Sequence, residues 1–548
     1  MTVRNTPLPQ PNLESHPSAA QTDAQSEIQE YTAISRQRRK LLPRAALVGL
    51  CSGLVASAFR MTLSGADVLR SLMLEWSHRF PAFGFLFPVL IGAVGASFSV
   101  LLVRNFAPDA KGSGIPHLKA VLHRFRVMRW SRVLPVKFIA GTIALGSGLA
   151  LGREGPSVQM GGAVGDAVSN WLKVPPRERR TLMAAGAGAG LAAAFNAPLS
   201  GLTFVLEEVQ RDFHPIVFAA AFVASIVADI VARLLTGSAP VFFVPSYAAP
   251  PIGSLLLFAI LGALAGLTGV LFNHSLIGMM NLFGRLQGRS KLSAVGFVGA
   301  VIGAAGWFAP EVVGGGHALA ELTLAGELAL VAVPVWFLVR FLFTTASYGT
   351  GAAGGIFAPL LVLGALLGLG IGQICHAIAP EIAPEPGVFA VVGMAAYFTA
   401  IVRAPLTGIL LIVEMTGSYE QMLPLLMSCF CAYAVAEGLK SLPIYEALLE
   451  RDLAADSKVL SLRQPTVVDL EVEPGAPFEG KEVRSLGLSP GCVLVRCLAG
   501  GREFVPTAAT RLEAYMKITA IVAPEATGSM EALRAGCKAQ TVREEADE

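Results

Sequence analysis

Between residues 45 and 438 the chain holds eleven apolar stretches, at about 45 to 63, 83 to 103, 134 to 150, 182 to 206, 215 to 235, 252 to 283, 293 to 308, 328 to 345, 356 to 378, 387 to 402 and 405 to 438. Several are shorter than the roughly 20 residues a perpendicular membrane span requires, or are broken by Gly and Pro. Hydrocarbon offers no partner to an open backbone N–H or C=O. Non-helical backbone at that depth must therefore be buried in protein or line an aqueous cavity. The breaks are where a permeation site is to be sought. Charge supports the same reading. Of 81 Asp, Glu, Lys and Arg residues, 10 fall in residues 1 to 44 and 27 in residues 451 to 548, leaving 44 for the 406 residues between. With 53% of the chain hydrophobic, a membrane-embedded helical body between two water-compatible ends is expected.

Residues 1 to 34 are polar and contain no signal-peptide core, which predicts a disordered cytoplasmic tail over 1 to 44. Arg36, Arg38, Arg39, Lys40 and Arg44 precede the first apolar stretch, so the positive-inside rule puts the amino terminus in the cytoplasm and implies a cell (inner) membrane. Beyond that run the net charge of +3 includes no extended basic patch, so no nucleic-acid partner is expected. Seven cysteines without a CxxC pair support neither a metal site nor a disulfide framework.

The breaks repeat. GPSVQMGGAVG (155 to 165) matches APLLVLGALLG (358 to 368) with Pro156/Pro359, Gly161/Gly364 and Gly165/Gly368 all 203 apart, and GLAAAF (190 to 195) matches GMAAYF (393 to 398) at that offset. APLSG (197 to 201) pairs with APLTG (404 to 408) at 207, and an acid follows each, Glu207 and Glu414. Two homologous halves, about 45 to 235 and 255 to 450, explain this. Internal repeats meeting at broken helices are usual in transporters, commonly with the halves inverted. The expected class is an all-α polytopic membrane protein of two inverted repeats of broken and tilted helices. A small α+β cytoplasmic domain follows at 459 to 548, where VVDLEVE, CVLVRCL and KITAIVA read as strands and SMEALRAGC as a helix.

GSGIP (112 to 116), GREGP (152 to 156) and GGIFAP (354 to 359) each join Gly to a helix-opening Pro, exposing first-turn amides. Three such ends converging would hold a small anion through N–H groups and helix dipoles, without the tight pair a Lys or Arg would form. Glu154 lies within one loop. It either competes with an anion for those amides, giving a proton-linked gate, or pairs with Arg153. Adjacent Glu207 and Glu208 point about 100° apart on a helix, so only one faces a pathway. Glu207, matched by Glu414, reads as architecture. Glu208, matched by Met415, is the extra acid, either functional or a solvated helix end. By residue type alone Ser113 is a helix cap and Tyr445 an interfacial aromatic. No HExxH, GxSxG or Walker pattern occurs, so neither an enzyme, a metal site nor a cofactor is expected.

Over 45 to 450, GSGIP, GREGP, GGIFAP and the Tyr of PIYEALLE, in this order, closely resemble the prokaryotic type of the CLC family of chloride channels and chloride/proton exchangers. The resemblance implies a homodimer in the lipid bilayer with one anion pathway per subunit. It implies anion coordination by the Ser113 and Tyr445 hydroxyls and the Ile356 and Phe357 amides, an external gate and proton relay at Glu154, and an internal proton relay at Glu208. That last acid favours a chloride/proton antiporter, a secondary transporter, over a passive chloride channel. Ser113 suggests chloride as the main substrate, with bromide and nitrate also passing. Residues 473 to 506 are similar to the TrkA-C domain, which implies dimer reinforcement or sensing of a small cytoplasmic ligand, although the usual Gly-Asp before the last strand is replaced around Glu513 to Met516.

Overall fold

The computed structural model describes residues 19–245, 247–460, 466–488, 490–500, 502–523 and 526–538. They divide into two compact units, the chain passing from one to the other between Leu449 and Glu450. The first half of the larger unit runs α1 (Ala19–Ser77), α2 (Leu86–Phe106), α3 (Ile115–Leu122), α4 (Trp130–Gly146), α5 (Glu154–Trp171), α6 (Pro176–Phe195), α7 (Pro198–Phe204) and α8 (Pro215–Thr236). The second runs α9 (Leu255–Arg285), α10 (Gly288–Phe308), α11 (His317–Leu324), α12 (Val333–Gly349), α13 (Phe357–Ile378), α14 (Pro386–Val402), α15 (Pro405–Thr416) and α16 (Met422–Gly438), and α17 (Ile444–Leu460) follows. Among the described residues six helices are long and apolar enough to cross a membrane, α1, α2, α8, α9, α10 and α13. The short helices α3, α7, α11 and α15 are the expected broken elements.

One expectation is corrected at the start of the chain. Helix α1 begins at Ala19, inside the segment read as a disordered tail, while residues 1–18 lie outside the described ones. The sequence from 19 to 42 has no Gly or Pro, and extending an existing membrane helix avoids the cost of nucleating one.

The repeat is built as paired helical hairpins, α5 with α6 and α13 with α14. A Cβ on Gly161 would lie 2.1 Å from the Gly186 carbonyl oxygen, and one on Gly364 would lie 2.4 Å from that of Gly393. Gly165 meets Leu182 O and Met183 Cα as Gly368 meets Phe389 O and Ala390 Cα. These glycines let backbones touch, the usual device for packing helices in lipid. They also revise the alignment of the halves. Helix α5 maps onto α13 at an offset of 203, but α6 maps onto α14 at 207, so the four-residue slip precedes GLAAAF instead of following it. A Gly/Ala-rich helix shifted by one turn presents the same face, which is why the sequence matched itself at both offsets.

Both α6 and α14 end on a left-handed residue, Asn196 (φ 54) and Arg403 (φ 67), ahead of Ala-Pro-Leu. The chain then reverses into α7 and α15, whose open N-termini are capped by each other's half. Glu414 accepts from the amides of Leu199 (3.0 Å) and Ser200 (2.8 Å), and Glu207 from those of Leu406 (3.1 Å) and Thr407 (2.8 Å). The Ser200 and Thr407 hydroxyls add to the same carboxylates. Such reciprocity is what a local two-fold axis generates, and it gives Glu207 the architectural part expected of it.

The smaller unit is a four-stranded antiparallel sheet of β1 (Thr466–Glu471), β2 (Cys492–Ala499), β3 (Arg502–Phe504) and β4 (Lys517–Val522), in the order β1-β4-β2-β3. Helix α18 (Thr527–Cys537) contributes Leu533 to a core with Val468, Val472, Phe478 and Ile518.

Gly364→Ala is expected to force α13 and α14 apart, at a cost of about 1–3 kcal/mol, read as a lowered melting temperature in detergent. Gly278→Ala, where nothing lies within 4 Å of the added Cβ, should leave the melting temperature unchanged.

Candidate functional site

Three loops are tied together by four backbone hydrogen bonds. Gly112 N–H donates to Ala352 O (3.1 Å) and Gly354 N–H donates to Gly112 O (3.0 Å). Gly152 and Gly355 each donate to the other's carbonyl at 2.7 Å. The GGIFAP loop is thereby the hub between GSGIP and GREGP, and the N-termini of α3, α5 and α13 are brought together. Gly112 (φ +57) and Gly114 (φ +79) take up left-handed backbone that the turn into α3 requires. The loops also come close at Gly155, where a Cβ would fall 2.8 Å from Ser113 Cβ.

Two fully buried cations stand beside these loops but point at carbonyls. Lys137 Nζ donates to Ala110 O (2.9 Å) and Gly112 O (2.6 Å). Arg340 donates to Val312 O and Gly314 O, each at 2.7 Å. Lys137 thereby brings positive potential to the GSGIP loop.

Each residue singled out in the sequence can be located. Ser113 is buried; its Oγ accepts from Ile115 N–H at 3.4 Å, a long cap, and lies 3.3 Å from Tyr348 Oη. Ile356 is the N-cap position of α13 and Phe357 its first residue, both fully buried. Aromatic rings of Phe398 (4.5 Å between centroids) and Phe195 (5.5 Å) pack on Phe357 and keep that helix start in place. Tyr445 is buried in the protein, not interfacial, and among the described residues its Oη has no hydrogen-bond partner. It lies within electrostatic range of Tyr348, Glu208 and Glu154.

Glu154 opens α5, 2% exposed. Its Oε2 accepts from Ala358 N–H in the first turn of α13 at 3.3 Å, whereas Arg153 Nε stands 4.0 Å from Oε1. The carboxylate makes both contacts that the sequence left open, the hydrogen bond to the start of α13 being the shorter. A cavity of about 250 Å³ reaches it, with Asp67, Arg70, Arg153, Glu311 and His317 in its wall.

Glu208 is fully buried in a single π-helical turn, Val205–Val209, after α7. It is not a solvated helix end. Lys119 Nζ lies 2.7 Å from Glu208 Oε1 and also bonds Glu446 Oε1, and Arg211 Nη2 lies 2.9 Å from Glu446 and 3.8 Å from Glu208 Oε2. Sequence reasoning missed Lys119, Glu446, Arg211 and Tyr348. A signal existed for the first two. A lysine inside an eight-residue apolar helix demands a partner, and Glu446 is the acid directly after Tyr445.

The family model for voltage gated chloride channels matches residues 95–437. The chain belongs to this family. Within it, the chain is 42% identical over 427 residues to the H(+)/Cl(-) exchange transporter ClcA of Vibrio parahaemolyticus, covering 76% of this chain and 90% of that relative. The ClcA exchanger of Citrobacter koseri is 40% identical over 420 residues, covering 76% and 89%. Among solved structures, a slow cyanobacterial Cl-/H+ antiporter matches with 36% identity and a TM-score of 0.73 over 76% of this chain and 98% of that one. A CLC-type fluoride/proton antiporter, 20% identical, shares the fold with a TM-score of 0.62 over 73% and 96%. The CLC match ends before the smaller unit begins.

Gly155→Ala should spread the three helix starts. The expected readout is loss of the rise in melting temperature that halide gives the unaltered protein, since a clash of about 1.4 kcal/mol already weakens binding tenfold.

Proposed function

We propose that this protein is a chloride/proton antiporter, a secondary transporter that moves chloride across a cell membrane in exchange for protons. The observation that carries the reading is the Glu154 carboxylate on the first-turn amide of α13. There a protein anion occupies one first-turn donor at the helix start that would otherwise face a transported one. Protonation removes its charge and weakens its hold on Ala358, so release of the gate takes up a proton. Chloride would then be coordinated by the Ser113 and Tyr445 hydroxyls and the Ile356 and Phe357 amides. Lys137 and Arg340 are already committed to carbonyls, so the ion is attracted without a tight pair that would delay its exit.

Glu208, off this path but within electrostatic range of Tyr445, is suited to pass protons between the cytoplasm and Glu154. The names of the ClcA relatives and of the cyanobacterial antiporter support exchange over passive conduction. The basic run 36 to 44 supports a cytoplasmic amino terminus in an inner membrane, and the resemblance supports a homodimer with one pathway per subunit. For the unit after Glu450 we favour a regulatory part, as a dimer reinforcement or a sensor of a small cytoplasmic ligand.

Liposomes containing the purified protein, under a chloride gradient at equal pH and with controlled membrane potential, should show uphill proton movement. Glu154→Gln is expected to abolish it while chloride still flows, and Glu208→Gln to block proton transport while anion flux persists. Chloride flux with no proton movement in the unaltered protein would make this a channel. Removal of residues 459 to 548 should leave the two fluxes coupled.

A further inference from the structure

We propose that Glu446 is a second inner proton-relay residue and that Lys119 is the shuttle joining it to Glu208. The inference rests on Glu208 being the inner proton relay. Glu208 has no exposed side-chain surface, so it cannot take a proton from bulk water in this arrangement. Glu446, from α17, is 19% exposed and shares with Glu208 the single ammonium of Lys119. Both contacts are made through Oε1 atoms at hydrogen-bond distance from one Nζ, so the three groups form a continuous path from the protein surface to the buried acid.

The surrounding charges make the path workable. Two carboxylates face two cations, Lys119 of α3 and Arg211 of the loop after the π-helical turn, so the cluster is neutral at rest. His123 at the end of α3, itself exposed, stands within electrostatic range of Lys119, Glu446, Arg211 and Arg180 of α6. One carboxylate oxygen on each acid, Oε2, has no hydrogen bond among the described residues. Each acid can therefore accept a proton there without breaking its bond to Lys119.

The transfer balances. A proton from the cytoplasm binds the Glu446 carboxylate. Lys119 gives one of its protons to Glu208 Oε1 through the existing N–H···O bond; the amine then turns its lone pair toward Glu446, whose carboxyl group rotates to present its proton, and takes that proton. The outcome is Glu446 ionised, Lys119 again an ammonium and Glu208 protonated, with one proton moved inward and the charge on Lys119 the same as at the start. A Lys held between two acids is suited to this, because both carboxylates already lie within hydrogen-bond reach of its Nζ.

The test is the proton-to-chloride flux ratio in liposomes for the unaltered protein, Glu446→Gln, Glu446→Asp and the double variant Lys119→Met/Glu446→Gln. The double variant removes a neutral pair and so leaves no unpaired buried ammonium should the single variant fail to fold. Glu446→Gln and the double variant should lower the ratio by at least about tenfold, with Glu446→Asp restoring most of it. An unchanged ratio in either, or an equal fall of both fluxes, overturns the relay and leaves exchange intact. Absence of proton movement in the unaltered protein would remove the exchange reading, and the relay with it.

Discussion

Four backbone hydrogen bonds among Gly112, Gly152, Ala352, Gly354 and Gly355 fix the rest of the molecule's usefulness. Each of the three loops they join opens a helix, and a helix opening is a cluster of N–H groups without acceptors. Left in hydrocarbon, those groups would be costly; turned toward one point, they become an anion site. The pinning bonds use amides and carbonyls lying just before the helices, so they do not consume the first-turn amides of α13, where Glu154 binds. Glycine is required here by close approach as much as by φ: a methyl on Gly155 or Gly355 would intrude on the neighbouring loop's backbone.

The repeated halves supply the frame on which the loops hang. Glycines at 161, 186, 364 and 393 let the hairpins α5/α6 and α13/α14 pack backbone to backbone, and the exchange of Glu207 and Glu414 caps binds α7 to α15. Each capping carboxylate meets two amides and a hydroxyl, a strong arrangement for an acid at a helix N-terminus. Beside this symmetry, Glu208 has no counterpart, and it is placed where the symmetric frame leaves a buried acid to be neutralised by other means. The neutralisation comes from Lys119 of α3 and from Arg211, three residues past Glu208, and both cations are shared with Glu446 of α17.

That cluster illustrates how electrostatics can be structural and functional at once. Fully buried carboxylates are retained only when paired, and pairing through one shared ammonium also supplies a route for protons. Removing any one charge would leave another unpaired, which is why neutral double replacements separate the two roles.

Much was legible in the chain itself. Gly-Pro punctuation located the three helix starts, the repeated APLSG/APLTG segments announced the paired architecture, and the match of Glu207 to Glu414 separated the capping acid from Glu208. These are local or periodic signals, set by backbone freedom and by the absence of hydrogen-bond partners in lipid. The offset of α6 against α14 was misread because a Gly/Ala helix resembles itself after one turn, and only contacts across the hairpins fix its register. Likewise Glu154 could be singled out by its place in a loop, and Ser113 and Tyr445 by the family resemblance, but not how Glu154 would divide between Arg153 and Ala358. The sharing of Lys119 by Glu208 and Glu446 spans 327 residues between Lys119 and Glu446. Pairing at that separation has no period and no motif, since it depends on which buried charges the packed helices bring within a few ångströms; it was decided by the tertiary structure alone.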